Sequence, residues 1–466
     1  MKGINLILIA ILTTLAIHGQ DITGQWHGTL DVQGTQLNLV FKISKIDGGY
    51  TSTMDSPDQG AYGIPVTSTS FKDSTLKLVV SNAKIEYEGI LGEDAIVSGN
   101  FKQGGQTLQL DLTREKVEKA ERTRPQEPKT PYPYLSEEVK FQNVGANLTL
   151  AGTLTLPKGK GPFPAVILIS GSGPQNRNEE LLGHKPFLVI SDHLTKQGIA
   201  VLRYDDRGFG ESTGNFAEAT TLDFSKDVES AISFLNSRKE IDNNKIGLIG
   251  HSEGGIIAPL VAARSKDVGF IVLLAGSGIR GDQLLLLQGG LIERSMGKSE
   301  KEMEKSNSIR KRELEIVMNS EDPQSLRKDL QMYLDVALDE NSNELVPEGM
   351  TTEQFIFAQV SQISTPWMMY FVKHDPALVL EKVSCPVLAV NGEKDLQVPP
   401  KENLTAIGNA LKKGGNNMVT KMELQGLNHL FQECETGSPF EYGKIEQTFS
   451  PIALEEISNW ILKQIN

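Results

Sequence analysis

Chemistry is concentrated in one hexapeptide, Gly250-His251-Ser252-Glu253-Gly254-Gly255. It follows the apolar run Lys245–Gly250 and precedes the helix-like stretch Ile256–Arg264, so Ser252 is expected on a sharp strand-to-helix turn. Such a turn lifts a hydroxyl clear of a sheet, and its flanking positions must do without a Cβ. The following helix directs its first amides at negative charge forming beside the serine. A serine hydroxyl is a weak nucleophile until a base takes its proton, and the base needs a partner to orient it. Of seven histidines only His374 and His429 follow Ser252. His374 precedes the last long apolar strand. His429 follows the strand-like Val419–Leu427, in the loop Gly426-Leu-Asn-His429, and is the expected base. The acid belongs after the strand Pro386–Asn391, where Gly392-Glu-Lys-Asp395 supplies Asp395, with Glu393 as the alternative.

A tetrahedral oxyanion needs two amide donors. One comes from the residue after the nucleophile, Glu253. The other comes from the loop after the strand Val166–Ser170, which reads Gly171-Ser172-Gly173-Pro174-Gln175. Ser172 is the expected second donor and Gly173 the next choice. A dinucleotide-binding reading of Gly171-x-Gly173 fails because the third glycine position holds Asn176. This chemistry requires no cofactor. Neither cysteine, Cys385 nor Cys434, has metal-ligand spacing, so no metal is expected.

These residues need elements to hold them. Pro164–Ser170, Ala200–Asp205, Lys245–Gly250, Phe270–Ala275 and Pro386–Asn391 are continuous apolar runs, the pattern of strands buried on both faces of a parallel sheet. Helical spacing lies between them, as in Asp223–Arg238. The fifth run is delayed by residues 281–380, a charged helical insertion with Leu284–Leu287 as its apolar core run, placed to act as a cap. Before this grammar begins, residues 21–115 alternate with period two and are broken by glycines, which predicts a small antiparallel sheet or barrel. Residues 116–134, charged and then proline-rich, read as an extended linker to a domain over 135–466. At the start, Lys2 and the largely apolar run Ile4–Ile17 resemble a secretory signal over residues 1–20, cut near Gly19 or Gln20; the mature chain would then have no membrane span and be secreted or periplasmic.

A net charge of −13 without a basic stripe excludes nucleic acid as the expected partner. Arg203, Asp205 and Arg207 read as a structural ion-pair and turn network, and His251 as a packed residue beneath the turn. Trp367–Phe371 could equally line an acyl pocket or belong to the core. Cys385 and Cys434 sit at opposite ends of the strand region, about 20 Å apart at strand rise, so both are expected as free thiols.

Asp205-Asp-Arg-Gly-Phe-Gly-Glu-Ser212, the Gly-His-Ser-Glu-Gly-Gly turn, Asn391-Gly-Glu-Lys-Asp395 and Asn428-His429 together resemble the α/β-hydrolase superfamily. More narrowly, the chain is similar to exported bacterial carboxylesterases with an N-terminal β accessory domain, a group that also carries the Gly-Ser-Gly-Pro loop and an element like His374-Asp375-Pro376. The resemblance covers about Pro133 to the C-terminus. It implies an α/β fold with a mostly parallel sheet, a helical cap and a small all-β domain in front. It also implies carboxylic-ester hydrolysis through an acyl-serine, on a small-molecule ester. A serine peptidase or deacetylase acting on a larger substrate shares the same residues, and a binding protein with a vestigial hydrolase domain is the alternative of another class. Ser170 departs from the histidine that many lipases place before the oxyanion glycines.

Overall fold

The computed structural model describes residues 21–32, 35–57, 61–81, 85–103, 106–115, 124–338, 346 and 351–466. The expected signal at residues 1–20 and residues 116–123 of the expected linker lie outside these. Residues 21–115 fall in one compact unit, and 124–338 with 352–466 in another.

The first unit is a meander. Strands β1 (Gly24–Val32), β2 (Thr35–Ile46), β3 (Gly49–Ser56) and β4 (Ala61–Val66) form one antiparallel sheet. Strands β5 (Ser68–Lys72), β6 (Thr75–Val80), β7 (Ile85–Leu91), β8 (Val97–Gln103) and β9 (Gln106–Leu112) form a second. Alternation turns every second side chain inward, so Trp26, Phe41, Leu78, Tyr87 and Leu110 share one core. The buried Tyr87 hydroxyl donates to the carbonyls of Val97 (2.9 Å) and Leu110 (3.1 Å). His27 and Thr113 exchange two 2.8 Å backbone bonds, bringing the first strand back beside the last. A sheet curled on itself is the barrel form of the expectation.

The second unit is built on an eight-stranded sheet in the order β10-β11-β13-β12-β14-β15-β16-β17. Its strands are β10 (Leu135–Asn143), β11 (Leu148–Leu156), β12 (Phe163–Ile169), β13 (Ala200–Tyr204), β14 (Ile241–His251), β15 (Phe270–Leu274), β16 (Val387–Gly392) and β17 (Val419–Leu424). β11 is antiparallel to both neighbours, and the six strands from β13 to β17 run parallel. The helices α1 (Pro186–Lys196), α2 (Thr221–Asn236), α3 (Gly254–Ala262), α10 (Pro400–Lys413) and α11 (Pro451–Ile465) cover its two faces over separate apolar clusters. This is the α/β-hydrolase fold, and the loops carrying Ser252, Asp395 and His429 all leave the same, carboxyl end of the parallel strands.

The described residues of the insertion form six helices, α4 (Gly281–Ser295), α5 (Glu300–Asn319), α6 (Pro323–Ala337), α7 (Thr352–Ile363), α8 (Pro366–Lys373) and α9 (Pro376–Leu380). Its own core gathers Val317, Leu326, Leu330, Leu334 and Val372. Leu284–Leu287 corrects one expectation. Leu284 is buried, but Leu287 is 37% exposed, because four consecutive residues of a helix cannot all face one side.

The proline-rich stretch also differs from a spacer. Arg124 is buried and donates to the carbonyls of Leu182 and Gly183 (both 3.2 Å) and of Ile445 (2.5 Å). Gln126 Nε2 donates to the Phe449 carbonyl at 2.6 Å, while its Oε1 accepts from the Thr448 amide at 2.7 Å. Tyr134 reaches Asp192 at 3.0 Å. Proline keeps this segment out of a sheet, but its polar side chains strap it to the hydrolase unit from Arg124 onward. Among the described residues no helix is long and apolar enough to cross a membrane.

Candidate active site

Strand β14 ends at His251 and α3 begins at Gly254, so the turn between them is only two residues long. Ser252 sits there at φ +54°, a left-handed conformation that costs a non-glycine residue energy and is held by the surroundings. Its amide donates to the Leu274 carbonyl on β15 at 2.8 Å, and its carbonyl accepts from Gly255 at 2.9 Å. A Cβ on Gly250 would run into the Gly254 carbonyl, which is why the position before the turn is glycine. Ser252 is therefore fixed through its backbone, with its hydroxyl outside those bonds.

Asp395 and His429 are brought together. His429 Nδ1 lies 2.8 Å from Asp395 Oδ2, with both side chains buried. Asp395 Oδ1 accepts from the amides of Gln397 and Val398, each at 2.8 Å, so the carboxylate is aimed by its own loop. The base is held by a turn wrapped on Asn428, whose Oδ1 accepts from the amides of Leu430 (3.0 Å) and Gln432 (2.9 Å). Binding Nδ1 to the acid leaves Nε2 as the ring edge free to work on a hydroxyl. Glu393 does not face the histidine: its Oε2 accepts from the Gly426 amide at 2.9 Å. His374 is also apart. It ends α8, its ring stacked on Tyr370 at 5.4 Å, and burial pushes its pKa below the ordinary histidine value.

The loop after β12 lies against the turn. A Cβ on Gly171 would stand 3.2 Å from Ser252 Cβ, closer than side chains ordinarily pack, so a larger residue would crowd Ser252. Both ends of the loop hang on Asp206, whose Oδ1 accepts from Ser170 Oγ at 2.8 Å and Oδ2 from the Gln175 amide at 2.9 Å. That use of Ser170 accounts for the residue type at this position. Beyond it, Arg177 grips Asp205 through Nε (3.0 Å) and a terminal nitrogen (2.7 Å). Burial raises the Asp205 carboxyl, but the Arg177 guanidinium and backbone donors more than offset this and hold it below the usual range. Arg207 grips Asp227 at 2.7 and 2.8 Å. Asp205 and Arg207 are thus ion-paired as expected, though with Arg177 and Asp227, whereas among the described residues Arg203 has no ion-pair partner and donates to Asn178 Oδ1. Among the described residues, the amides of Glu253, Ser172 and Gly173 make no hydrogen bond within the chain.

Several participants carry no motif in the sequence. The Glu253 side chain is 3% exposed, and its Oε1 accepts from Thr221 Oγ1 and from Trp367 Nε1 on cap helix α8, both at 2.7 Å. Burial pushes its carboxyl up to about 7. Trp367 stacks on Phe371 at 5.0 Å, and Phe371 shares a cluster with Ile256, Leu260, Leu284 and Val398. The Trp367–Phe371 stretch thus packs between the cap, α3 and the acid loop. Gln397 Nε2 reaches the Tyr442 hydroxyl at 3.2 Å, joining the acid loop to the segment after His429. Cys385 and Cys434 are both free thiols. Among the described residues no group of three or more His, Cys, Asp or Glu side chains could hold a metal ion.

The family model described as X-Pro dipeptidyl-peptidase (S15 family) matches residues 146–430, a span holding Ser252, Asp395 and His429. Esterase EstD of Thermotoga maritima is 27% identical over 322 residues, covering 67% of this chain and 66% of that one, so the chain spans just under two thirds of that relative. An Escherichia coli relative, named as an uncharacterized 31.7 kDa protein in the traX-finO intergenic region, is 26% identical over 279 residues, 59% of this chain and 87% of that one. Among solved structures, the Pyrococcus furiosus esterase Pf2001 covers 71% of this chain and 92% of that one, at 15% identity and a TM-score of 0.42.

Proposed function

Since the chain belongs to the X-Pro dipeptidyl-peptidase (S15) family, we propose that it is a serine hydrolase of carboxylic esters, working through an acyl-serine on Ser252. The observation that carries this reading is the 2.8 Å bond between His429 Nδ1 and Asp395 Oδ2, with the His429 ring 4.9 Å from that of His251, the residue before a serine held on a strained turn. His429 Nε2 takes the Ser252 proton as Oγ attacks the ester carbonyl, while Asp395 fixes the tautomer and steadies the imidazolium. The amides of Glu253 and Ser172, or Gly173 in its place, receive the oxyanion. The leaving alcohol takes the proton from His429. Water then repeats the sequence on the acyl-serine, releasing the acid and restoring Ser252. No cofactor enters this scheme.

The ester reading is favoured by the relative named an esterase, which matches over 322 residues. A second reading, cleavage of a peptide after a short N-terminal unit, is favoured by the family's own description. The two share every step except the leaving group. Small-molecule esters are the proposed substrates, and a secreted or periplasmic site follows from the sequence pattern of residues 1–20. Short and long p-nitrophenyl esters assayed beside aminoacyl-prolyl nitroanilides separate the readings. Ester kcat/KM at least 100-fold above that for any nitroanilide is expected, and the reverse order would make the chain a peptidase.

A further inference from the structure

Directly beneath Ser252 one buried side chain touches three parts of the site. His251 Nδ1 lies 2.9 Å from Glu179 Oε1, and its Nε2 lies 3.0 Å from the backbone carbonyl oxygen of His429. The same Glu179 Oε1 accepts from the Gly171 amide at 2.7 Å, at the root of the loop that carries Ser172. Glu179 itself sits at φ +51°, a conformation kept for a purpose. Both ring nitrogens of His251 therefore face oxygens, and a backbone carbonyl can only accept. A neutral imidazole has one N–H and one lone pair, so either tautomer turns a lone pair on an oxygen. Moving a proton onto Glu179 Oε1 would satisfy the ring as well, but it leaves the Gly171 N–H on a hydroxyl oxygen, a weaker acceptor than the carboxylate. Two N–H groups on the ring satisfy every atom present.

We infer that His251 is held as a doubly protonated imidazolium that ties the oxyanion loop, through Glu179, to the loop carrying His429, and that it is a positioning residue for the reaction. Its role in turnover rests on the ester-cleaving reading given above, whereas its protonation state does not. The groups facing the ring are few. Glu179 lies on one edge, the His429 ring is 4.9 Å away centre to centre, and Phe431 presents its edge at 6.4 Å. Asp395 acts from the acid loop through its charge. Glu253, on the same turn, is committed to Thr221 and Trp367. Burial works against a charge on His251, but the Glu179 carboxylate outweighs it and, with Asp395, raises the pKa above the ordinary histidine value. The second proton is accordingly lost only on the alkaline side, and one brace is lost with it. His251 does not meet the substrate, so the consequence falls on kcat and not on KM.

The test uses full-length protein with ¹⁵N-labelled histidine, the His251 ring signals being assigned by their loss in His251→Gln. At pH 7 both ring nitrogens of His251 should show the protonated shift, with one changing only at alkaline pH. In Glu179→Gln, which keeps an acceptor for Gly171 but removes the charge, that change should move to lower pH. In His251→Gln, kcat for p-nitrophenyl acetate should fall about 10–100-fold with KM within about twofold, and the alkaline decline of the rate should disappear. A neutral His251 tautomer at pH 7 overturns the inference, and so does an unchanged kcat in His251→Gln. The nuclear-resonance arm needs no turnover, so a chain that proves to cleave no esters would sink the functional reading and leave this arm to be judged by itself.

Discussion

The floor of the site and its roof use the same kinds of side chain and hold them in opposite ways. On the floor, three buried carboxylates are answered by a cation or by several N–H donors, while Asp206, with one hydroxyl and one amide, is pushed well above its usual range by burial. Asp205 has Arg177, Asp395 has two amides and His429, and Glu179 has Gly171 and His251. Where the roof meets the Ser252 turn, Glu253 receives only a hydroxyl and the Trp367 indole, and within the roof Glu313 on α5 lies buried with Arg310 as its nearby charge. Burial pushes both of these carboxyls up to about 7, whereas Asp205 is held below its ordinary range. The lesson is one of tolerance. Paired charges at hydrogen-bond distance fix the floor to tenths of an ångström, as reacting atoms require. The roof rests on stacked rings and aliphatic contacts, among them Trp367 on Phe371 and the leucines of α6.

The contrast can be broken most sharply at the two histidines. His429→Ala, on the floor, should lower kcat by about 10⁵–10⁶, the scale set by other serine triads. His374→Ala, in the roof, should leave kcat within about threefold. Ester turnover of the two purified variants decides this, and a dead His374 variant beside an active His429 variant would invert the assignment.

A smaller effect separates the two regions by pH. Between about 4.5 and 7 the folded chain keeps a proton on Glu253 that the unfolded chain has released. Stability therefore falls as pH rises through that window and levels off above it. The full loss is about 3 kcal/mol, from the rise above the ordinary glutamate value. Glu253→Gln keeps an oxygen for Thr221 and Trp367 but cannot titrate. Urea unfolding at pH 5 and pH 8 should show the wild type losing stability relative to this variant, with Glu313 contributing equally to both. Parallel behaviour would mean that the roof carboxyl is not held protonated.

The smallest effect is expected from the strap. A chain starting at Ala120 should keep kcat for a small ester within about tenfold, since no triad member lies before it. One starting at Glu127 loses Arg124 and Gln126 and should melt at a lower temperature, because the Leu182–Gly183 and Ile445–Phe449 carbonyls lose their donors. Equal melting temperatures would return this stretch to the role of a plain linker.

Much of the floor was legible because its signals are local. Phe270–Leu274 is apolar and buried throughout, and Ala200–Tyr204 is buried throughout although it carries Arg203. Ser252, Asp395 and His429 follow from strand-end loops taken in chain order. Braces made by distant residues leave no such trace. His251 and Glu179 are 72 positions apart, and Glu253 and Trp367 are 114 apart. Glu179 and Trp367 offer no spacing to read, only a buried partner that the fold supplies. Arg124 misled in another way, since the prolines after it describe backbone stiffness correctly but say nothing about where a buried guanidinium is tied. Leu284–Leu287 read as core by composition, although helical periodicity already required one of the four to face water.

The central claim is that Ser252 forms the covalent acyl intermediate. It is tested by exposing the full-length chain to a fluorophosphonate probe, digesting it and locating the adduct by mass spectrometry. One equivalent of label on the peptide containing Ser252, absent from Ser252→Ala and blocked by prior incubation with a p-nitrophenyl ester, is the predicted result. Label on any other serine, or undiminished labelling and ester turnover in Ser252→Ala, would contradict it.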